Sequence, residues 1–389
     1  MRLSTPPPAA DPALVAEAHA LRSAFARHRT LDSLHAAPDW PGLSARLAAL
    51  VAPVRRHDFA GSALLNGSGP IRVAHWNIEH GNRFAAIAES LATGPGLAGA
   101  DLVTLNEVDL GMARSGNRDV AADLARRLGM HAAWAAMFLE STRGRDDDAL
   151  TAVPADNAES LFGLALLSRW PIAGARLVPL PGPERELFER ERMTGRFAAL
   201  VCEIAHPVRP FVAVTVHLEV HRSRAFRALQ MRRLLEALAA ETRPVVLTGD
   251  WNTHTFDRGE RNVVLTAGWA LVATPSRVLR ERLTRPDAGP HREGLFDELR
   301  SAGFEWQPYS DYRATLGVRF SRLGEVHALP GPLRAFVTRG LRWAESRTQL
   351  RLDWIATRGF AARAGRGETV DVHHASDHQP IAASLAFAE

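Results

Sequence analysis

From Ile71 onward the chain alternates short apolar runs with stretches whose apolar residues recur at helical spacing, the pattern of an α/β fold. Strands are predicted at IRVAHW, DLVTLNEV, GLALLSR, FAALVCEI, PFVAVTVHL, PVVLTGD, LRLDWIAT and IAASLAF, and helices near 83–94, 117–128, 222–240 and 293–302. Ahead of this region Leu14, Ala18, Leu21 and Phe25 follow a helical period, and a second amphipathic stretch runs from about Trp40 to Val54. The turn-rich NGSGP at 66–70 closes it. Residues 1–70 therefore read as a helical N-terminal extension and 71–389 as the main domain. The extension has three readings: a packing cap, a partner or oligomer contact, or a part of the substrate site. Between about 256 and 349 the pattern loses regularity, which marks a long insertion between two strands, either a lid or specificity loop or a cover for the sheet edge.

Composition narrows the class. At 389 residues the chain can form two or three ordinary domains, or one large α/β domain with additions. A content of 46% hydrophobic and 23% charged residues excludes global disorder. No apolar run approaches the roughly 18–20 residues that span a bilayer. The opening MRLSTPPPAADPALVAEAHALR lacks the apolar core of an export signal. A single cysteine, Cys202, excludes an intrachain disulfide framework and a cysteine-based zinc site. A reducing, cytoplasmic setting is the expectation. The 47 basic residues are all arginine against 43 acidic ones, a net charge of only +4, so the always-charged guanidinium would raise the pI to near 10.2 without any basic patch.

The candidate chemistry lies in oxygen donors at strand ends. The sequence has no Gly-x-Ser-x-Gly elbow, no Walker A loop and no HExxH. Instead Asn77 follows IRVAHW, Glu107 ends DLVTLNEV, Asp250 and Asn252 end PVVLTGDWN, Asp353 lies in LRLDWIAT, and Asp377 precedes His378 in ASDHQPI. Carboxylates and amides without thiolates suit Mg²⁺, Mn²⁺ or Ca²⁺. Singly, each reads as a helix cap or turn former; as an ordered set on strand ends they mark a site. His217 in VTVHL, read alone, is a core histidine on an alternating strand. Arg114, Asn117 and Arg118 have two readings: a clamp on a substrate phosphate, or a cap and cover for the helix that begins there. His373 and His374, with His378, form a possible separate metal site. Arg222, Arg224, Arg227, Arg232 and Arg233 read most simply as the solvated face of a helix.

With WNIEH, LNEVD, GLALLSRWPI, VTVHLE, LTGDWN, LDWIATRG and SDHQPI in this order, the chain resembles the endonuclease/exonuclease/phosphatase superfamily over about residues 71–389. The resemblance implies a DNase I-like α/β sandwich of two mixed β-sheets flanked by helices. It implies that Asn77, Glu107 and Asp377 hold a divalent cation, Mg²⁺ or Mn²⁺. Asp250 and Asn252 would orient the attacking water, touch the phosphate or help hold a second ion. His378 would be the general base with its ring oriented by Asp353, and His217 would assist the phosphate or leaving group. Two departures from the family pattern, Asn106 in place of Gln and Leu164 in place of Asn, remove no ligand. A histidine at 217, where AP endonucleases place asparagine, argues against abasic-site repair. The expected activity is hydrolysis of a phosphodiester by direct water attack. A DNA or RNA endonuclease of the DNase I type, a phosphomonoesterase on a sugar or inositol phosphate, and a non-catalytic binding protein stand as alternatives. The expected partner is a phosphate ester, nucleic acid included; the oligomeric state is left open.

Overall fold

A computed structural model describes residues 10–60, 69–144, 152–257, 273–317, 331–362 and 367–388. The Pro-rich opening, most of NGSGP, and 258–272 and 318–330 of the insertion lie outside the described residues.

Three helices open the chain: α1 (Pro12–Phe25), α2 (Leu31–His35) and α3 (Trp40–Val51). α1 starts where the sequence supplies a cap and a helix-compatible proline. The Asp11 carboxylate accepts the Ala13 N–H at 3.0 Å, and Pro12 takes the first position, where no N–H is needed. The stretch also contributes a strand, β1 (Val54–Asp58).

The larger sheet contains β1, β2 (Ile71–Asn77), β3 (Leu102–Leu110), β4 (His131–Glu140) and β5 (Leu161–Ser168). The second sheet comprises β6 (Ile172–Pro179), β8 (Ala198–Ile204), β9 (Phe211–His217), β10 (Val245–Asp250) and β13 (Asp353–Arg358), in the order β13-β10-β9-β8-β6. The short β7 (Met193–Gly195) pairs with β4, and β11 (Leu316–Gly317) pairs with β12 (Gln349–Leu350) as a separate ribbon. β14 (Phe360–Ala362), β15 (Glu368–Thr369) and β16 (Ile381–Phe387) complete the larger sheet, whose order is β1-β4-β5-β3-β2-β16-β14. Both sheets are mixed: β2 runs parallel to β3 and β9 parallel to β10, while the other main pairs are antiparallel.

The larger sheet buries both faces, and its side chains alternate between two cores. Ala133, Ala135 and Met137 of β4 point into the core between the sheets. Ala132, Trp134 and Ala136 point into a second core, which is closed by α1, α3, α4 (Phe84–Thr93) and α5 (Val120–Leu128). Against the second sheet close α6 (Arg224–Ala237) and α8 (Leu295–Ser301), whose Met231, Leu234, Phe296 and Leu299 belong to the same buried cluster as the strands of that sheet. The preceding helix, α7 (Ser276–Thr284), sits in the insertion, as does α9 (Gly331–Arg347). One expectation is corrected here: Arg227 is not on a solvated face. It is fully buried, with its guanidinium on Glu293 at 2.7 and 3.1 Å. A buried guanidinium needs such a partner, because an unpaired charge in the core is far more costly than a polar atom.

Candidate active site

Strand register builds the site. Asp250 ends β10, and its neighbours across the sheet are His217 on parallel β9 and Asp353 on antiparallel β13. Three functional side chains from sequence-distant strands thus form one row. Gly249 allows the close strand approach that this requires, since a Cβ there would lie 1.9 Å from the Val216 carbonyl oxygen. In the facing sheet Asn77 ends β2 in register with Asn106 of β3. Next to it the register of β3 slips: Leu105 pairs with Ala165 and Val108 with Gly163, which leaves Asn106 and Glu107 in a bulge. Glu107 takes φ +54°, and the bulge turns its carboxyl toward the site.

The two sheets meet at Asn77. Its amide NH₂ donates to Glu107 Oε1 at 3.0 Å and to Asp250 Oδ2 at 3.1 Å. Asp250 Oδ2 also lies 3.6 Å from His217 Nε2 and 3.7 Å from His378 Nε2. Asp377 is near enough for its charge to act on Glu107. The loop bearing Asp377 and His378 is fastened to the end of β2: Ser376 Oγ donates to the Asn77 carbonyl, Trp76 Nε1 to the His378 carbonyl, and the Asp377 N–H to Glu79 Oε2. Asn252 donates its side-chain amide to the Leu218 carbonyl at 2.7 Å, and its backbone N–H to Asp250 Oδ1 at 2.9 Å, so it fixes the turn after β10. All eight residues that the family resemblance singled out are therefore gathered at one end of the sandwich.

Electrostatics differ sharply between the groups. Withdrawal from water and the nearby Asp377 and Asp250 charges push Glu107 up to about 8. Burial works against charge on His378, but Asp353 and Asp250 outweigh it and hold the ring well above its ordinary value. Burial lowers His217, with Asp250 opposing. Burial alone would raise Asp353, yet His378 and His75 hold it well below the usual carboxylate range.

Two contributors were not legible as site residues. His75, fully buried, places Nε2 3.3 Å from Asp353 Oδ1 while its Nδ1 meets Thr104 Oγ1 at 3.0 Å. Asp353 Oδ2 meets His378 Nδ1 at 2.7 Å, so one carboxylate lies between two imidazoles. The signal for His75 was its place two residues before Asn77, hence on the same strand face. His80 puts Nε2 3.5 Å from Glu107 Oε2 and its ring 5.3 Å from that of Phe162. It belongs to the WNIEH motif, but its left-handed φ of 65°, which turns it inward, has no sequence signature.

The remaining candidates have other partners. Arg114 is buried on Asp109, at 2.8 and 2.9 Å, and on Glu140, at 2.9 Å. Asn117 donates to the Asp156 carbonyl and accepts from the Ala158 N–H, and Arg118 stacks over Phe84. Exposed His373 lies beside Asp371, 3.8 Å away.

The donor set fits a hard divalent cation. Glu107 and Asp250 supply carboxylates on either side of the Asn77 amide, and the charge of Asp377 acts on Glu107, with no thiolate among them. The NH₂ group of Asn77, wedged between two carboxylates, occupies a place where positive charge is favoured. Among the described residues Asp250, Asp353 and His378 also bring ligand atoms within 4.8 Å of one another. Asp353 is already committed to His75 and His378, so we read that trio as a hydrogen-bonded relay and not as a cation cage. Two openings flank the centre. A cleft of about 1060 Å³ reaches Asp377 and is edged by Arg280, Arg313 and Arg342, and a cavity of about 240 Å³ reaches Glu107 and His217.

Two mixed sheets flanked by helices, with carboxylates and histidines gathered where their strand ends meet, define a DNase I-like sandwich. The chain belongs to the Endonuclease/Exonuclease/phosphatase family, whose profile matches residues 74–378. Members of this family include nucleases, phosphodiesterases and phosphatases, and generally use divalent metals. Among solved structures, an endonuclease/exonuclease/phosphatase from Beutenbergia cavernae superposes with a TM-score of 0.51 at 19% identity, covering 82% of this chain and 72% of that one. The human Nocturnin catalytic domain, with bound sulfate, gives 0.47 at 16% identity over 86% of this chain and 98% of its own. A search of curated proteins finds no match. Among the described residues no helix is long and apolar enough to cross a membrane.

Proposed function

We propose that the protein is a divalent-metal-dependent phosphodiesterase that uses water as its nucleophile. The observation that carries this reading is the meeting of two imidazoles on one carboxylate oxygen, His217 and His378 at 3.6 and 3.7 Å from Asp250 Oδ2, beside the Asn77–Glu107 pair. Phosphodiester hydrolysis needs a proton taken from water and a proton given to the leaving oxygen, and an imidazole on each side of Asp250 can take part in these transfers. Glu107, Asp377 and Asn77 would hold the cation. When bound, it would supply positive charge that neutralises the phosphate. His378, its ring fixed through Nδ1 by Asp353, then takes the proton of the attacking water. His217, on the opposite flank of Asp250, serves the leaving oxygen. Asp250 and Asn252 orient the water and the phosphate.

A diester is favoured over a monoester because the centre opens on two sides, one for each ester arm. A nuclease is the second reading, favoured by the arginines along the larger cleft.

The test is turnover of bis-p-nitrophenyl phosphate with Mg²⁺ or Mn²⁺, next to plasmid nicking. His378→Ala and Asp250→Ala should each lower kcat by at least about 10². EDTA should abolish activity and added Mg²⁺ or Mn²⁺ restore it. Turnover indifferent to both changes would overturn the reading.

A further inference from the structure

The smaller opening has a chemistry of its own. Its walls are Phe138, Phe162, Phe197, Leu187, Met193 and Leu218, and one end is formed by Glu107 and His217. The pocket is thus continuous with the reaction centre. At about 240 Å³ it exceeds the roughly 150 Å³ apolar cavity that accommodates benzene, yet it falls short of the roughly 300–1,000 Å³ that encloses a whole drug-sized ligand. It has room for one arm of a substrate.

Its polar lining limits what that arm can carry. The one buried guanidinium, Arg114, is met by Asp109 and Glu140. Glu219, 1% exposed, lines the same pocket. Its Oε1 accepts the His221 N–H at 2.8 Å, whereas Oε2 is buried with no hydrogen-bond partner among the described residues. Glu191 stands at the mouth beside His221. A phosphate or carboxylate inside the pocket would face these acids with no unmatched guanidinium among the described lining residues to receive it, whereas a ring would be met by aromatic and aliphatic walls.

We propose that this pocket seats an apolar, uncharged ester arm of the substrate, of the size of one aromatic ring, and that Glu219 excludes anionic arms from it. This rests on the phosphodiesterase reading and adds a substrate class to it: diesters in which the phosphate joins an apolar group to a second, polar arm in the arginine-edged cleft.

The experiment is calorimetric binding of non-hydrolysable phosphonates to the full chain in Mg²⁺. Methyl benzylphosphonate should bind about ten- to a hundredfold more tightly than methyl methylphosphonate, with a more negative heat-capacity change. Methyl 4-carboxybenzylphosphonate should lose that advantage, and Glu219→Gln should restore at least part of it. Met193→Trp, which fills the pocket from its rim, should erase the benzyl preference while leaving methyl methylphosphonate affinity and the circular dichroism spectrum unchanged. Equal affinity for methyl and benzyl ligands, or a benzyl preference that survives Met193→Trp, would overturn the proposal. The two readings fail separately. Diester turnover without a benzyl preference rejects the pocket alone, and a benzyl preference without turnover of any diester rejects the hydrolase alone.

Discussion

Asp353 shows how much one side chain owes to its surroundings. It is fully buried, yet its two oxygens are divided between His75 at 3.3 Å and His378 at 2.7 Å. Under the proposed mechanism its task is to hold the His378 ring in one tautomer and orientation, as a buried carboxylate does for a catalytic imidazole. Asp353→Asn keeps the shape but reverses one hydrogen-bonding preference. Steady-state kinetics should show kcat lower by about 10² or more with KM little changed; a variant as fast as wild type would remove Asp353 from the relay. Glu107 makes the complementary case. Already pushed up to about 8 by burial and neighbouring carboxylates, it is an acid that a cation would suit. Glu107→Gln should raise the Mg²⁺ concentration for half-maximal activity at least about tenfold, measured by metal titration, with the fold intact by circular dichroism.

At the scale of elements, the bulge in β3 and its glycine partner matter most. Gly163 lies opposite the slip in β3 and opposite a second slip in β4, between Ala136 and Phe138. A Cβ at 163 would lie 2.0 Å from the Ala135 carbonyl oxygen, which is backbone and cannot swing aside. Gly163→Ala should therefore destabilise by about 1–3 kcal/mol in chemical denaturation and displace Glu107 enough to lower activity as well. The Arg227–Glu293 pair, which ties α6 to the turn before α8, is the second case. Arg227→Ala leaves a buried carboxylate uncompensated, with an expected loss of about 3–5 kcal/mol. A loss below about 1 kcal/mol would mean that water reaches Glu293. The sequence pattern located β2, β3, β5, β8, β9, β10, β13 and β16, where apolar residues form short dense runs. It passed over β4, whose HAAWAAMFLE is rich in alanine, a residue with little preference for strands. It passed over β6, whose Ala173, Gly174, Ala175 and Arg176 leave neither a dense apolar run nor a clear apolar–polar alternation.

At the scale of the whole molecule, the N-terminal helices share a core with the sandwich. Ala18, Leu21 and Phe25 of α1 and Leu43 and Leu47 of α3 are buried in the cluster that holds Trp134 and Leu167 of the larger sheet. Among the three readings of residues 1–70, this burial favours the packing cap. Phe25→Ala should cost about 3–5 kcal/mol and lower Tm in a thermal melt. An unchanged Tm would show that α1 contributes little to the fold. The same layering explains why β1 lies beside β4: it extends the larger sheet at the edge that α3 approaches.

The order of motifs, the oxygen-rich donor set and the alternation of strands with helices are local properties, so the sequence alone determined the family and named the eight residues that meet at the centre. His75 was not among them, although period-2 alternation puts it on the face of Asn77. The tertiary structure decided everything that depends on register and on packing between distant segments. It aligned His217, Asp250 and Asp353 in one row, turned Glu107 inward at a bulge, drew Arg227 into the core and enclosed an apolar pocket beside Glu219. Each of these arises from contacts between residues tens to hundreds of positions apart, and such contacts leave no mark on local hydrophobic pattern or propensity.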